Sequence, residues 1–303
     1  MDTELARTFL AVVASGNFIS AAERLHVTQS TVSARIHALE QQLGCILFVR
    51  NKAGTALTPA GRQFQKHAGI LVRTVEHARH DVGVPRGFRA AITIGGRFGL
   101  WEGLLLKWLP VMRAAAPDIS VRAEIGMEPE LMQGLVEGRL DIGVMYTPQS
   151  RPGLKVELLF EERLILVATA TGMVDSTGAD STSPDAVRPG EPAHGYVYID
   201  WGPEFYAKHN ARFPDFIGPA LTANIGWLGL QHILENGGSG YFPLRLARPY
   251  LADGRLIRVT NAPEFSLPAY MIYASEGRPD FLDDALDAIR RGAAGEHAPA
   301  DAH

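Results

Sequence analysis

A regular stripe of apolar residues between positions 28 and 44 constrains this chain more than any other feature. The stripe recurs at intervals of four, three and four residues and consists of Val32, Ile36, Leu39 and Leu43. This spacing places the side chains on one face of a helix. The exposed face begins with short side chains that form hydrogen bonds, namely Gln29, Ser30, Thr31 and Ser33. A helix that begins in this way fits base edges and phosphates in a DNA major groove.

Another helix is predicted directly before this one, across a tight corner. Ala21 and Ala22 are small enough to let the two helices approach closely. Thr28 can cap the following helix through its hydroxyl, and Gly44 can end that helix as its C-terminal cap. Together these features predict a helix-turn-helix.

A basic hairpin is predicted after the helix-turn-helix. Residues 47–50 and 57–58 flank the turn-rich segment 51–55, as in a winged motif. Contacts with phosphates are predicted for Arg50, Lys52 and Thr58. Contacts in the groove are predicted for residues of the preceding helix, namely Gln29, Ser30, Thr31, Ser33 and Arg35.

The segment from Ala21 to Gly61 fills one long pattern without a gap, AAxxLxxxQxxxSxxIxxLExxLGxxLFxRxxxxxxLTxAG. This segment resembles the DNA-binding domain of LysR-type transcriptional regulators. The match is highly specific because many independent positions fit at fixed spacing. The resemblance implies a homodimer or homotetramer that binds double-stranded promoter DNA and responds to a small-molecule inducer.

The length and composition fit a multi-domain globular protein. The chain has 303 residues, of which 46% are hydrophobic, and this length corresponds to roughly two or three domains. No apolar run reaches the ~18 residues that a membrane-spanning helix needs, and the N-terminus lacks a signal-peptide core. The single cysteine, Cys45, fits a reducing compartment. We therefore expect a cytoplasmic protein.

The charge of the chain is divided unevenly. Residues 1–89 contain eleven Lys or Arg and six Asp or Glu, a net charge of +5. Because the whole chain carries −4, the remaining residues carry −9. A basic N-terminal module can use phosphate electrostatics, whereas an acidic remainder is repelled by the duplex. The two parts are therefore expected to have different tasks.

A heptad-like pattern connects the two parts. Its apolar positions recur every three or four residues at Phe64, Ala68, Leu71, Val75, Ala78 and Val82. The pattern predicts a helix that pairs with a second helix along this seam, while an amphipathic helix packed on its own domain is the alternative. Pro85 and Gly87 end the helix. In the LysR resemblance, this segment is the linker helix that dimerises the protein.

From residue 90 onward, short apolar runs alternate with helical stretches, which predicts βαβ units on a mostly parallel sheet. This part resembles the effector-binding domain of the same family, which is similar to type 2 periplasmic binding proteins. The motifs that carry this resemblance are GRLDIGV at 138–144, ENGGSGYFP at 235–243 and GRL at 254–256. A long surface loop is predicted over 169–194.

The predicted fold is α/β, with three parts. These are a winged helix-turn-helix over 1–58, a dimerising linker helix and hinge over 59–89, and a two-lobed, periplasmic-binding-protein-like effector domain over 90–303. Lobe I is expected over about 90–162 and 268–293, and lobe II over about 163–267.

An effector site is expected where strand ends meet helix N-termini. The residues at such positions are Gly96, Arg97, Phe98, Tyr146, Thr147, Asp200, Trp201, Asn224 and Trp227. Family members often have a small hydroxyl residue near Arg97, so the guanidinium here suggests an inducer with a carboxylate. A structural Arg97 paired with a local acid is an equal alternative, and each aromatic residue can instead be core.

An enzyme on a periplasmic-binding-protein-like fold, such as a dehydratase, is the alternative function. The sequence lacks Gly-x-Ser-x-Gly and phosphate-loop motifs, and an enzyme has no need of the first ninety residues. We expect no catalytic residues, cofactor or metal. Cys45 is expected to pack as a small hydrophobe rather than act as a redox sensor.

Overall fold

The computed structural model describes residues 2–51, 54–82, 87–169, 195–216, 218–279 and 281–296. Apart from Thr169, the loop predicted over 169–194 lies outside these residues. The helices are α1 (Thr3–Ser15), α2 (Phe18–Leu25), α3 (Gln29–Leu43), α4 (Pro59–Val82), α5 (Phe98–Leu100), α6 (Leu106–Ala115), α7 (Glu128–Glu137), α8 (Pro203–Arg212), α9 (Gly226–Asn236), α10 (Leu244–Ala252) and α11 (Phe281–Glu296). The strands are β1 (Phe48–Asn51), β2 (Gly54–Leu57), β3 (Ala90–Gly96), β4 (Ile119–Ile125), β5 (Ile142–Met145), β6 (Leu154–Thr169), β7 (Tyr196–Ile199), β8 (Leu221–Ala223), β9 (Ser239–Pro243), β10 (Leu256–Arg258) and β11 (Phe265–Ala274).

The N-terminal module is built by helices with defined ends. Asn17 caps α2 by accepting a hydrogen bond from the amide of Ser20 at 2.7 Å, and Thr28 caps α3 by accepting one from the amide of Thr31 at 3.2 Å. Gly44 ends α3 with φ of 67°, a left-handed conformation that glycine adopts without a steric penalty. The predicted helix-turn-helix therefore forms with the expected caps.

An aromatic cluster fills the core of this module. The ring centroid of Phe9 lies 5.1 Å from that of Phe48 and 5.0 Å from that of Phe64. Val32, Ile36 and Leu39 of α3 join this core and are buried, as predicted, whereas Leu43 is 37% exposed. The stripe is thus three residues long, because the last turn of α3 extends beyond the helices that cover it.

Helix α4 packs on its own chain over its first half. Phe64, Ala68 and Val72 are buried in the core of the N-terminal module, and Glu76 accepts a hydrogen bond from Arg7 of α1. The buried positions recur every four residues. This spacing is typical of a helix packed on a neighbouring element, whereas a coiled-coil seam repeats every 3.5 residues on average. Phe64 and Ala68 therefore follow the alternative of an amphipathic helix packed on its own domain and are not available to a helix of a second chain. Val82, at the far end, is 91% exposed.

The larger part of the chain contains one nine-stranded sheet in the order β4-β3-β5-β11-β6-β9-β7-β8, with β10 paired to β6. Strands β3, β4 and β5 are parallel to one another, as are β7, β8 and β9. We call the part with the first three strands, α5–α7 and α11 lobe I, and the part with the other three and α8–α10 lobe II. Among the described residues, every pairing that involves β6 or β11 is antiparallel, so the sheet is less parallel than predicted.

Strand β6 is shared by the two lobes. Its first part pairs with β11 from Leu154 to Leu164, and its last part pairs with β9 and β10 from Leu164 to Thr169. The pairings of β6 are antiparallel because this strand passes from one lobe to the other. It is not part of a βαβ unit, whose strands run parallel. The two long strands fix the relative position of the lobes.

The ENGGSGYFP motif of lobe II ends α9, turns the chain and continues as β9. Gly237 and Gly238 turn the chain with φ of 78° and 120°, but Ser239 and Gly240 already belong to β9. Helix α10 follows with Pro249 inside it, which weakens its helical signal in the sequence. In lobe I, a π-helical turn at Trp101–Leu105 lies between α5 and α6.

A half-buried ion pair joins β6 to α11. The Glu157 carboxylate accepts hydrogen bonds from Arg290 at 2.7 and 2.9 Å and from the Tyr273 hydroxyl at 2.9 Å. The Arg290 guanidinium is the main reason why the pKa of Glu157 is lowered from 4.5 to about 2. Hydrogen bonds to the charged form favour that form.

This shift predicts part of the acid sensitivity of the protein. Because the folded pKa of Glu157 lies below its unfolded value, its stabilisation is present above pH 4.5 and is lost as the pH falls towards 2. Glu157→Gln is therefore expected to be less stable than wild type at pH 7, with a gap that narrows between pH 5 and 2. Urea midpoints across this range measure the gap, and a gap of constant size contradicts the assignment.

No helix among the described residues is long and apolar enough to cross a membrane.

Candidate nucleic-acid interface and effector cavity

The start of α3 presents polar side chains to solvent. Gln29 and Ser30 are exposed, and Ser33 is half-buried on the same helix. The Thr28 hydroxyl lies 2.8 Å from the hydroxyls of both Ser30 and Thr31. These bonds preorganise a hydroxyl cluster at the helix N-terminus, where the amide groups and the helix dipole favour phosphate.

Two of the predicted DNA contacts are occupied by bonds within the protein. The Arg35 guanidinium lies 3.3 Å from the Glu4 carboxylate and 3.4 Å from the Thr8 hydroxyl, so it turns towards α1. The Thr58 hydroxyl donates to the carbonyl of Ile46 at 2.7 Å and accepts from the amide of Gly61 at 2.9 Å. Thr58 therefore fixes the start of α4, and its contact with phosphate stays a prediction, as does that of Arg35 with the groove.

The hairpin lies directly after α3 in the chain. Arg50 is on β1, opposite Thr55 of β2, and Lys52 lies outside the described residues. Cys45 is exposed at the corner between α3 and β1, so the expectation that it packs as a small hydrophobe was wrong. Leu47 and Phe48, the apolar residues that follow it closely in the chain, are buried in the core instead.

A cavity of about 150 Å³ lies between the lobes. Its lining includes five predicted effector residues, namely Arg97, Phe98, Tyr146, Trp201 and Asn224. The remaining lining residues are Gly99, Ile125, Gly126, Met127, Glu130, Ile225 and Gly226. The strand-end rule thus brings most of the predicted site together around one space.

Four predicted effector residues lie beside this cavity rather than in its wall. A side chain at Gly96 would overlap Leu105, and Thr147 packs against Gly202. Asp200 accepts a hydrogen bond from the amide of Gly202 at 3.0 Å, which shapes the loop before α8. Trp227 is 42% exposed and its ring lies 5.8 Å from that of Phe98, so it supports the wall from outside.

Arg97 connects the two lobes at the cavity. Its guanidinium donates hydrogen bonds to the Glu128 carboxylate of α7 and to the carbonyl of Asn224 in lobe II, both at 3.0 Å. Its Nη1 atom also lies 2.8 Å from the Met127 sulfur. Arg97 is only 6% exposed, and the local acid that the structural alternative required is Glu128. A ligand carboxylate must therefore share Arg97 with Glu128 or displace it.

A buried polar network lies behind the cavity wall. Glu162 of β6 accepts hydrogen bonds from the Tyr146 hydroxyl at 2.9 Å and from Arg245 of α10 at 2.6 Å. Arg245 also donates to the carbonyl of Gly99 at 3.1 Å, so it joins lobe II to lobe I. Burial, followed by the negative charge of Glu162, raises the pKa of Tyr146 well above its usual value. The hydroxyl thus remains a neutral donor at the cavity.

Glycine at position 103 makes room for this network. A Cβ at Gly103, in the π-helical turn, would overlap the Arg245 guanidinium. Gly103 therefore leaves the space that the Arg245 guanidinium occupies beside the π-helical turn. Such turns are frequent at functional sites.

The start of α7 contributes wall residues that the sequence analysis missed. Met127 and Glu130 form a capping box, in which the Glu130 carboxylate accepts a hydrogen bond from the Met127 amide at 2.8 Å. These residues follow the end of β4 in the chain, so the strand-end rule applied to β4 would have found them.

Two family models match the chain. One is described as a bacterial regulatory helix-turn-helix protein of the lysR family and matches residues 3–62. The other is described as a LysR substrate binding domain and matches residues 85–294. Together they cover both the N-terminal module and the part that contains the cavity.

Individual proteins show the same similarity along the whole chain. An HTH-type transcriptional regulator, HdfR of Yersinia pestis (strain Pestoides F), is 30% identical over 273 residues, 90% of each chain. The crystal structure of ArgP from Mycobacterium tuberculosis has a TM-score of 0.59 at 25% identity and covers 97% of this chain and 98% of its own. Full-length LysG from Corynebacterium glutamicum, with bound effector Arg, has a TM-score of 0.58 at 20% identity over 97% and 99% of the two chains.

These relatives are regulators, which sets aside the alternative of an enzyme on the same fold. The two family models match the N-terminal module and the two-lobed part, one after the other along the chain. The chain therefore belongs to the LysR family, and it is a transcriptional regulator with a helix-turn-helix DNA-binding module and an effector-binding domain.

Proposed function

We propose that the protein binds a dyad-symmetric promoter site through two copies of α3 and changes transcription when a small molecule occupies the cavity between its lobes. The observation that carries this proposal is the division of α3 into a buried stripe and an exposed polar start, with Gln29 and Ser30 in solvent. A recognition helix needs that division, because one face must pack and the other must read bases. The cytoplasm is the compartment we propose, since the target is promoter DNA.

A homodimer or homotetramer is part of the proposal. One chain offers one α3, whereas a dyad-symmetric site needs two related by a twofold axis. One face of the second half of α4 is available for pairing, since Val75 is only half-buried and Val82 is 91% exposed. The described chain covers the first half, at Phe64 and Ala68.

For the effector, we propose a small molecule with an apolar body and a carboxylate. Phe98 and Trp201 offer apolar walls, and Tyr146 supports the wall with its ring, 6.1 Å from that of Trp201. Arg97 is the cation at the cavity, and it gives the carboxylate a bidentate partner when Glu128 moves aside. The Glu130 carboxylate also lines the cavity, and its charge favours a ligand whose anion faces Arg97 and not Glu130.

Substitutions on the two DNA-facing elements are expected to have different effects. Ser33→Ala should weaken binding to a selected cognate duplex by roughly 1–3 kcal/mol with little change in nonspecific binding, because a base contact is lost. Arg50→Ala should weaken both cognate and nonspecific binding, because a phosphate contact is lost. It should also make DNA affinity depend less steeply on salt concentration. Gel-shift titrations at several salt concentrations measure both effects.

Ser120→Ala, on β4 of the effector domain, is the matched control and should bind DNA as wild type does. Full discrimination by the Ser33→Ala protein would show that the groove contacts lie elsewhere on the module.

A further inference from the structure

Helix α7 has one end at the effector cavity. Met127, its N-cap, and Glu130, in its first turn, line that cavity, and Glu128 holds the Arg97 guanidinium at 3.0 Å. The start of the helix is tied to the sheet, since the amide of Gly126 donates to the carbonyl of Gly96 at 3.3 Å. A ligand in the cavity therefore touches the first turn of α7 directly.

The other end of α7 contacts the DNA-binding module of the same chain. Val136 packs against the hydrophobic core of that module, and the Glu137 carboxylate lies 3.7 Å from the guanidinium of Arg24 in α2, the first helix of the helix-turn-helix. Gly138 ends α7 so close to α4 that a Cβ there would overlap the backbone of Arg73. The last turn of α7 is thus seated between α2 and α4.

We propose that α7 transmits the effector signal within a single chain, as a rigid lever whose first turn senses the ligand and whose last turn positions the helix-turn-helix. This inference rests on the proposed function, because it needs both DNA binding and an effector cavity. Ten residues of helix span about 15 Å, and Leu131, Met132 and Leu135 lock the helix into lobe I. A displacement of its start therefore moves its end.

The contact between α7 and the module is built to release at a small cost. Arg73 is 5% exposed, its Nε atom has no hydrogen-bond partner among the described residues, and burial lowers its pKa. A void of about 30 Å³ also remains where α1, α4 and lobe I meet. Burial of a charge with incomplete hydrogen bonding costs free energy, and a void removes packing contacts. Both offset part of the stabilisation that apolar burial gives to this contact.

Linkage makes the proposal testable without knowing the effector, because coupling between two sites is reciprocal. The probe is the duplex selected from a random-sequence library, and the readout is amide hydrogen exchange in the full-length protein. DNA binding should change exchange at residues 126–131, whose amides include that of Leu131 bonded to the carbonyl of Met127 at 3.0 Å. We expect a change of about fivefold or more.

The uncoupling variant is Val136→Ala combined with Glu137→Gln, which removes the apolar contact and the ion pair with Arg24 but no predicted DNA or effector contact. The matched control is Glu264→Gln, just before β11, which breaks the ion pairs of Glu264 with Arg163 of β6 at 3.0 Å and with Arg258 of β10. The control should show the wild-type response. The uncoupled protein should bind the duplex yet leave residues 126–131 at their DNA-free exchange rates.

Two outcomes would contradict the proposal that α7 transmits the signal. In one, wild type binds the duplex but exchange at residues 126–131 does not change; in the other, the uncoupled protein retains the full response. Both leave DNA binding intact, so they differ from failure of the proposed function, in which wild type does not discriminate the selected duplex from random DNA.

Discussion

Replacing Glu162 with glutamine is expected to lower the free energy of unfolding of the effector domain by about 3 kcal/mol. The Glu162 side chain is 2% exposed and that of Arg245 is 11% exposed, so the change removes the negative charge from a largely buried ion pair. The shape of the side chain and its acceptor oxygen for Tyr146 are kept, which isolates the effect of charge. Urea unfolding followed by tryptophan fluorescence measures the loss.

Fluorescence reports the effector domain alone, because all four tryptophans, Trp101, Trp108, Trp201 and Trp227, follow residue 90. The matched control is Glu204→Gln, which removes one partner of the exposed ion pair with Lys208 and should change stability by less than about 0.5 kcal/mol. Equal effects of the two substitutions would show that the Glu162 network contributes no more than a surface pair.

Arg97→Ala is expected to be nearly as costly, with a loss of about 3 kcal/mol in the same unfolding measurement. The substitution leaves the Glu128 carboxylate, which is 17% exposed, and the carbonyl of Asn224 without their shared donor. It also removes a link between the lobes, since Arg97 and Asn224 belong to different ones. The DNA-binding module is untouched, so DNA affinity in the absence of ligand should stay near that of wild type.

Glu128→Gln provides the complementary test of the effector proposal. It keeps the Arg97 side chain but removes the competing anion, so carboxylic acids that bind the cavity should bind more tightly, and raise the melting temperature further, than they do in wild type. The probes are a panel of small carboxylic acids, each compared with its amide. A panel in which the amides bind as well as the acids would contradict a carboxylate anchor.

Local sequence patterns predicted the N-terminal module well because residues close in sequence determine its helix caps and its buried stripe. Thr28 and Gly44 act as the predicted caps of α3, and Val32, Ile36 and Leu39 form its buried stripe. The strand-end rule gathered Arg97, Tyr146 and Asn224 around one cavity, although 127 residues separate the first from the last of them. Topology alone determines such positions.

Partners chosen by long-range packing could not be predicted in this way. The seam from Phe64 to Val82 is compatible with several partners, and the structure gives its first half to α1. The partners of Arg97 and Glu162 lie on α7 and α10, and sequence spacing holds no information on which acid meets which base. The lobe boundaries expected near 162 and 268 fall within β6 and β11, yet the antiparallel pairing of these strands depends on their passage between the lobes and not on local sequence.

The most direct test of the account is selection of binding sites from a random-sequence duplex library with the full-length protein. The account predicts an enriched inverted repeat whose half-sites are separated by about one helical turn of DNA or a multiple of it. Affinity for this sequence should exceed affinity for random duplex by about a thousandfold or more at physiological salt, and Ser33→Ala should reduce that ratio. An enriched pool without a shared motif, bound no more tightly than random DNA, would contradict the assignment of α3 as a recognition helix.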